Sequence, residues 1–69
     1  MVILIQCKDR VGLVAAISGL MAQKNINIVS MREHVDTVAN QFFVRIVADQ
    51  FDNTDQLFND LRALLPADA

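Results

Sequence analysis

The stretch at residues 7–20 constrains the fold most, because the hydrophobic period of the chain changes inside it. Residues 2–5 form a short apolar run rich in β-branched side chains, which is typical of a buried strand. From residue 13 onward, apolar residues recur at helical spacing. The residues expected to face inward are Leu13, Val14, Ile17, Leu20 and Met21. A strand therefore passes directly into a helix, with the junction at residues 8–12.

The junction carries residues suited to a helix start and to a ligand. Asp9 is placed to cap the first backbone amides of the helix, and Gly12 allows main chain or a ligand to approach where a Cβ would intrude. A helix N-terminus also attracts a carboxylate or phosphate, because its first N–H groups have no acceptor within the helix. Two interpretations stay open: a purely structural cap and turn, or a ligand-binding loop.

Composition indicates one small domain that needs support from a partner. A chain of 69 residues with 54% hydrophobic residues can bury a single core, but its stability margin is thin at this length. We therefore expect part of the surface to bind a second polypeptide. No repeat or linker divides the sequence, so residues 1–69 are treated as one domain.

The same composition argues against several classes of function. A net charge of −2, the absence of Trp and Tyr and the lack of a basic cluster argue against a nucleic-acid surface. No apolar run approaches the roughly 20 residues of a membrane span. The single cysteine, Cys7, is interpreted as a small buried hydrophobe, and no metal or cofactor is expected. A lone cysteine and the lack of a leader pattern favour a reducing cytoplasm.

Apolar spacing and turn signals predict five elements in the order β-α-β-β-α. Strands are expected at residues 2–7, 27–35 and 41–49, with a hairpin at residues 36–40. Helices are expected at residues 11–24 and 54–65, and Asn53 with Gln56 imitates a capping box at the start of the second. The nine residues expected in the core are Leu13, Ile17, Leu20, Phe42, Val44, Ile46, Leu57, Leu61 and Leu64.

This order predicts an α+β fold, a ferredoxin-like β-α-β-β-α(-β) sandwich with an antiparallel sheet and two helices on one face. The last strand of the full unit is missing. Strand one is then left at an edge, although its apolar run is typical of a central or doubly covered strand. We therefore expect the chain to be an N-terminal fragment of a longer protein.

The sheet face away from the helices is predicted to be partly apolar, from Val29 and Met31 on strand two and Phe43 and Val47 on strand three. Such a surface favours a homodimer, joined through sheet faces, through strand-two edges or through small residues of the first helix.

Two polar residues on strands two and three have no assigned chemistry. Arg45 is predicted to form a salt bridge with Glu33 or Asp49, or to hold a partner carboxylate. His34 is the single histidine, and without ligands at a suitable spacing it is interpreted as a strand surface residue.

The run Asp-Arg-Val-Gly-Leu-Val at residues 9–14, followed by a helix and by Asn-Ile-Val at residues 27–29, resembles the ACT domain family over nearly the whole chain. The resemblance implies that the loop before the first helix and the Asn of strand two meet a small amino acid such as glycine or serine, often shared between two copies. The effector site it implies consists of Asp9, Arg10, Gly12, Leu13 and Asn27.

A narrower resemblance is to the N-terminal ACT domain of the formyltetrahydrofolate deformylase family, through Glu-His-Val-Asp at residues 33–36 and Gln-Phe-Phe-Val-Arg at residues 41–45. It implies a regulatory or assembly module of a hydrolase that converts 10-formyltetrahydrofolate and water to formate and tetrahydrofolate, in purine and one-carbon metabolism. The large catalytic C-terminal domain of that family has no counterpart in these residues. The alternative is a stand-alone ACT module that binds a small amino acid at a dimer interface.

Overall fold

The protein was analysed as a computed structural model, which describes residues 1–66. It contains three strands, β1 (Val2–Lys8), β2 (Ile28–Asp36) and β3 (Gln41–Ala48). Its two helices are α1 (Leu13–Gln23) and α2 (Thr54–Leu64). The order β-α-β-β-α is the predicted one, and the predicted boundaries differ from the observed ones by one or two residues at most ends.

The three strands form one antiparallel sheet in the order β1-β3-β2. The register places Ile3 opposite Ile46 and Cys7 opposite Phe42, so these side chains share the face that the helices cover. The predicted ferredoxin-like arrangement, with both helices on one face and without the last strand, is thus confirmed for residues 1–66.

The helix ends follow local chemistry. Asn25, just past α1, adopts a left-handed conformation at φ 58°, as expected of an asparagine that closes a helix. Its N–H donates to the carbonyl of Ala22 at 3.0 Å, and the next N–H, of Ile26, donates to Met21 at 2.9 Å. This pair of hydrogen bonds is a Schellman motif, which satisfies carbonyls in the last turn of α1 and directs the chain toward β2.

Helix α2 begins at its predicted cap. The side-chain oxygen of Asn53 accepts a hydrogen bond from the N–H of Gln56 at 3.2 Å. In a full capping box the side chain of Gln56 would in turn bond to the backbone N–H of Asn53. Here the side-chain amide of Gln56 donates to Asp60 at 2.8 Å instead.

The core lies between the sheet and the two helices. Seven of the nine predicted core residues are buried, and Cys7 is buried as expected; the full set is Ile3, Cys7, Leu13, Ile17, Met21, Ile26, Phe42, Val44, Ile46, Ala48, Leu57 and Leu61. The prediction was wrong for Leu64, which is 37% exposed because it is the last residue of α2, and Leu20 is only partly buried.

The sheet agrees with one expectation and corrects another. Strand β1 lies at an edge in the described part of the chain, as expected without the last strand, and its side chains Val2 and Leu4 are 54% and 73% exposed. Met31 pairs with Ile46, so it packs against the core instead of lying on the open face. A register shift between Ile28 and Ser30 causes this change, because one extra residue reverses the facing of those that follow.

Within residues 1–66, neither helix is long or apolar enough to cross a membrane.

Candidate functional site

The loop between β1 and α1 is anchored to the hairpin that joins β2 and β3. The N–H of Asp9 donates to the carbonyl of Asn40 at 2.9 Å, which extends the β1–β3 ladder by one bond. The hairpin is itself stabilised by Asp36, whose Oδ1 accepts from the N–H groups of Val38 and Ala39, both at 3.1 Å. The loop and the hairpin therefore form one end of the molecule.

Gly12 is the residue that precedes α1, and it adopts φ 91°. An L side chain rarely adopts such a value, so the turn needs glycine for its backbone rather than for space: an added Cβ at this position would contact nothing within 4 Å. The carbonyl of Gly12 accepts the first helical bond, from Ala16 at 2.9 Å.

Asp9 does not cap α1, contrary to the sequence-based prediction. The N-cap position belongs to Gly12, and no side chain among residues 1–66 accepts a hydrogen bond from the first amides of α1. The first turn also contains no acidic residue. Because the helix dipole places partial positive charge at this end, the start of α1 lacks a compensating negative group of its own.

Arg10 has a structural partner. Its guanidinium donates to the main-chain carbonyl of Leu64 at the end of α2. A cation at a helix C-terminus satisfies a free carbonyl and complements the helix dipole. Arg10 thus ties the loop to α2, a contact that the sequence did not predict.

A depression of about 430 Å³ lies between this loop and the neighbouring strands. Four of the five predicted effector residues line it, namely Asp9, Arg10, Gly12 and Leu13. The other lining residues are Val14, Ala15, Glu33, His34, Val35 and Phe42. Sequence reasoning missed the contributions of β2 and β3, although the hairpin register would have placed the ends of all three strands together.

The depression combines charges of both signs with apolar surface. Asp9 and Glu33 bring carboxylates, Arg10 brings a guanidinium that is shared with α2, and the uncapped start of α1 forms one border. Carboxylates attract an ammonium group, and free helix amides attract a carboxylate. This arrangement suits a small zwitterion better than a purely anionic ligand.

Asn27, the fifth predicted effector residue, lies elsewhere. It follows the C-terminal end of α1 and its carbonyl accepts from the N–H of Asp49 at 3.0 Å, whereas the depression lies at the opposite end of the helix. An eleven-residue helix separates the two ends by about 16 Å. Asn27 and the depression of the same chain therefore cannot contact one small ligand.

The remaining polar strand residues are placed as follows. His34 is exposed on β2, as predicted, with its ring centroid 6.2 Å from that of Phe43. Arg45 forms no ion pair with Glu33 or Asp49 among residues 1–66. Glu33 pairs with Val44, so Glu33 faces the helix side of the sheet, away from Arg45. The cross-strand neighbour of Arg45 is instead a second cation, Arg32.

The fold and the loop define the class of this protein. The family model described as the ACT domain matches residues 1–65, and the chain belongs to the ACT domain family. Among curated proteins it is similar to formyltetrahydrofolate deformylases of Escherichia coli K12 and Shigella flexneri, each 35% identical over 60 residues. The alignment covers 87% of this chain and 21% of each relative.

Solved structures give the same relatives. The formyltetrahydrofolate deformylase of Pseudomonas syringae pv. tomato superposes with a TM-score of 0.79 at 27% identity, over 93% of this chain and 24% of that one. The enzyme of Burkholderia mallei superposes with a TM-score of 0.80 at 26% identity, over 91% and 23%. The chain thus spans about a fifth of the length of the curated relatives it matches.

Proposed function

We propose that the chain is the ACT module of a formyltetrahydrofolate deformylase and that it serves assembly or regulation there. The reaction, which converts 10-formyltetrahydrofolate and water to formate and tetrahydrofolate, would be catalysed by a further domain of a longer cytoplasmic protein. The single observation that carries this proposal is that sequence and fold both match one segment of these enzymes, at 35% identity and with TM-scores near 0.8.

The extent of the match supports a role apart from catalysis, because the aligned segment covers only 21% of the deformylase. Deformylation requires a base that activates water on a formamide and donors that stabilise the oxyanion, and we place these groups in the further domain. Among residues 1–66, β1 pairs with β3 alone, and its side chains Val2 and Leu4 are exposed, which favours contact with further protein.

Two measurements test this proposal. The purified 69-residue chain is expected to release no formate from 10-formyltetrahydrofolate above a buffer blank, and release above the blank would contradict it. The reading frame of the gene is expected to continue past Ala69 into a formyltransferase-like domain. A stop codon there, together with a monomeric 69-residue product, would also contradict it.

The second candidate is a module that binds a small amino acid at a dimer interface. The depression favours it, because four of the five residues that the family resemblance indicates line it together with Glu33, an additional carboxylate. The position of Asn27 sharpens the hypothesis: since it lies about one helix length away, any contact with the same ligand must come from a second copy. Ligand binding and dimerisation would then be coupled.

Calorimetric titration with glycine and serine tests the effector, run beside sedimentation with and without the better binder. Binding is expected to strengthen association, and Asn27→Ala is expected to weaken binding as much as Asp9→Ala. Asn59→Ala, on the exposed side of α2, is a matched control and should leave binding unchanged. Absence of heat for both glycine and serine, or a monomer at high micromolar concentration, would contradict this candidate.

A further inference from the structure

On the sheet face that the helices leave open, the side chains of the three strands lie in rows of cross-strand neighbours. One row runs from Leu4 on β1 through Arg45 on β3 to Arg32 on β2, as the cross-strand register shows. The row on one side of it is Val2, Val47 and Ser30, and on the other side lie first Gln6, Phe43 and His34 and then, at the hairpin end, Lys8, Gln41 and Asp36. Away from the hairpin end, the face is therefore apolar at Val2 and Leu4 and basic at Arg45 and Arg32.

The two arginines are cross-strand neighbours without a carboxylate beside them. Like charges directly opposite each other destabilise a sheet, and neither Arg32 nor Arg45 has an ion pair among residues 1–66. Asp36 is the carboxylate on this side of β2, and its Oδ1 is engaged by the hairpin amides. The chain as a whole carries a net charge of −2, so this face is more positive than the rest of the protein.

A second copy of the chain fits this face poorly. A two-fold contact between open faces would bury four arginines, two from each copy, while Asp36, the carboxylate on this side of β2, is already engaged by the hairpin amides. The helices of the chain cannot serve either, because α1 contains no acidic residue and the apolar side of α2 is already buried through Leu57 and Leu61. The charge on the face thus selects a different polypeptide.

The dimensions of the face match one α-helix. Three strands spaced by about 4.8 Å place the outer strands about 10 Å apart, which is the diameter of a helix with its side chains. The eight residues of β3 extend for about 26 Å, the length of a helix of about 17 residues. Leu4, at 73% exposure, and Val2, at 54%, offer the apolar contact for such a helix.

We propose that the open face of the sheet binds an acidic amphipathic α-helix of another protein. The leucine-rich side of that helix packs on Val2, Leu4 and Val47, and a row of glutamates or aspartates along one flank pairs with Arg32 and Arg45. The two guanidiniums then lose their mutual repulsion on binding, since each gains a carboxylate. The partner helix is bound on the side of the sheet opposite to α1 and α2.

The test uses a fluorescein-labelled helical peptide of 17 residues with leucines at helical spacing and glutamates along one flank. A second peptide replaces each glutamate by lysine. Fluorescence anisotropy measures the binding of both peptides to the 69-residue chain, to Arg32→Glu and to Arg45→Glu. Arg62→Glu, which removes a cation from the exposed side of α2, is the matched control.

We expect the glutamate peptide to bind the natural chain, and each strand variant to lose about tenfold in affinity while Arg62→Glu changes little. The lysine peptide should bind only the strand variants. Misfolding is excluded by a second readout: Arg32→Glu creates an opposite-charge pair with Arg45, so its thermal midpoint should rise by about 1–5 °C.

Three results would overturn the proposal. The glutamate peptide would produce no anisotropy change at millimolar concentration, or the glutamate and lysine peptides would bind the natural chain equally. Alternatively, sedimentation would show a dimer of the natural chain that Leu4→Glu converts to a monomer, which would assign the face to a second copy.

Discussion

The two helices of this domain begin in opposite ways. Helix α2 has a side-chain cap from Asn53 and an acidic residue, Asp55, in its first turn. Helix α1 begins at Gly12 in a left-handed conformation, with no side-chain cap and no acid in its first turn. Both starts lie at the surface, so the difference does not follow from burial.

The difference lies in how the first amides of each helix are stabilised. A cap and an acid stabilise a helix by satisfying its first amides and its dipole, and α2 uses both. The amides of α1 stay open toward the depression, at a backbone position that costs conformational freedom. The start of α2 therefore has two stabilising features that the start of α1 lacks, and the first residues of α1 border the depression.

The largest expected effect tests the helix whose start is stabilised. Leu61→Ala in α2 removes a side chain that is 3% exposed, and we expect it to lower the free energy of unfolding by about 2–5 kcal/mol, enough to unfold so small a domain. Leu64→Ala, one turn later at 37% exposure, is the matched control and should cost far less. Equal losses in urea denaturation would show that the buried side of α2 is misassigned.

The two helix starts can be compared directly by one substitution in each. Gly12→Ala forces a Cβ into the left-handed region and should cost about 1–2 kcal/mol. Asn53→Ala removes a cap and should cost about 1 kcal/mol, while Asn53→Asp should retain most of the stability. Urea denaturation measures all three. An unchanged midpoint for Gly12→Ala would mean that the loop does not need positive φ.

The outer sides of the helices give a smaller effect of opposite sign. Gly19→Ala should raise the stability by about 0.5–1 kcal/mol, because the added Cβ meets no atom within 4 Å and alanine favours helix. Asn59→Ala on α2 is also expected to stabilise the protein, because alanine has a higher helix propensity than asparagine. If copies join through α1, sedimentation will show that Gly19→Ala weakens the dimer while Asn59→Ala does not.

The smallest effect concerns the ion pair between the helices. Lys24 Nζ lies 2.6 Å from Asp60 Oδ2, and the hydrogen bond from Lys24, followed by that from Gln56, holds the pKa of Asp60 below its usual range. Since the folded-state pKa is lowered, the pair stabilises the protein above the ordinary carboxyl range, and this contribution is lost as the pH falls through the folded pKa.

Asp60→Asn should therefore lower the thermal midpoint only slightly at neutral pH, because the pair is partly exposed to solvent. The difference from the natural chain should vanish in acid, where both carry a neutral side chain at this position. A difference that grows on acidification would contradict this account of the ion pair.

Local sequence signals predicted much of this fold, because their causes are local. The periods of apolar residues located five elements, Asn53 located the start of α2, and the predicted end of the first helix at residue 24 is one residue from the observed end. The site was predicted in part. Asp9, Gly12 and their neighbours were assigned to the loop that borders the depression, but the role of Asp9 as a cap was wrong.

What only the tertiary structure decided depends on how distant segments meet. The register shift in β2 turned Met31 toward the core, which no period-two count reveals. Glu33 joined the depression because the hairpin returns beside the end of β1, and Arg10 found its acceptor 54 residues away in α2. The sequence by itself determined which elements form, since helix and strand preferences act over a few residues. The pairing of strands and the facing of each side chain decided which residues share a site, because those contacts exist only after the chain has closed on itself.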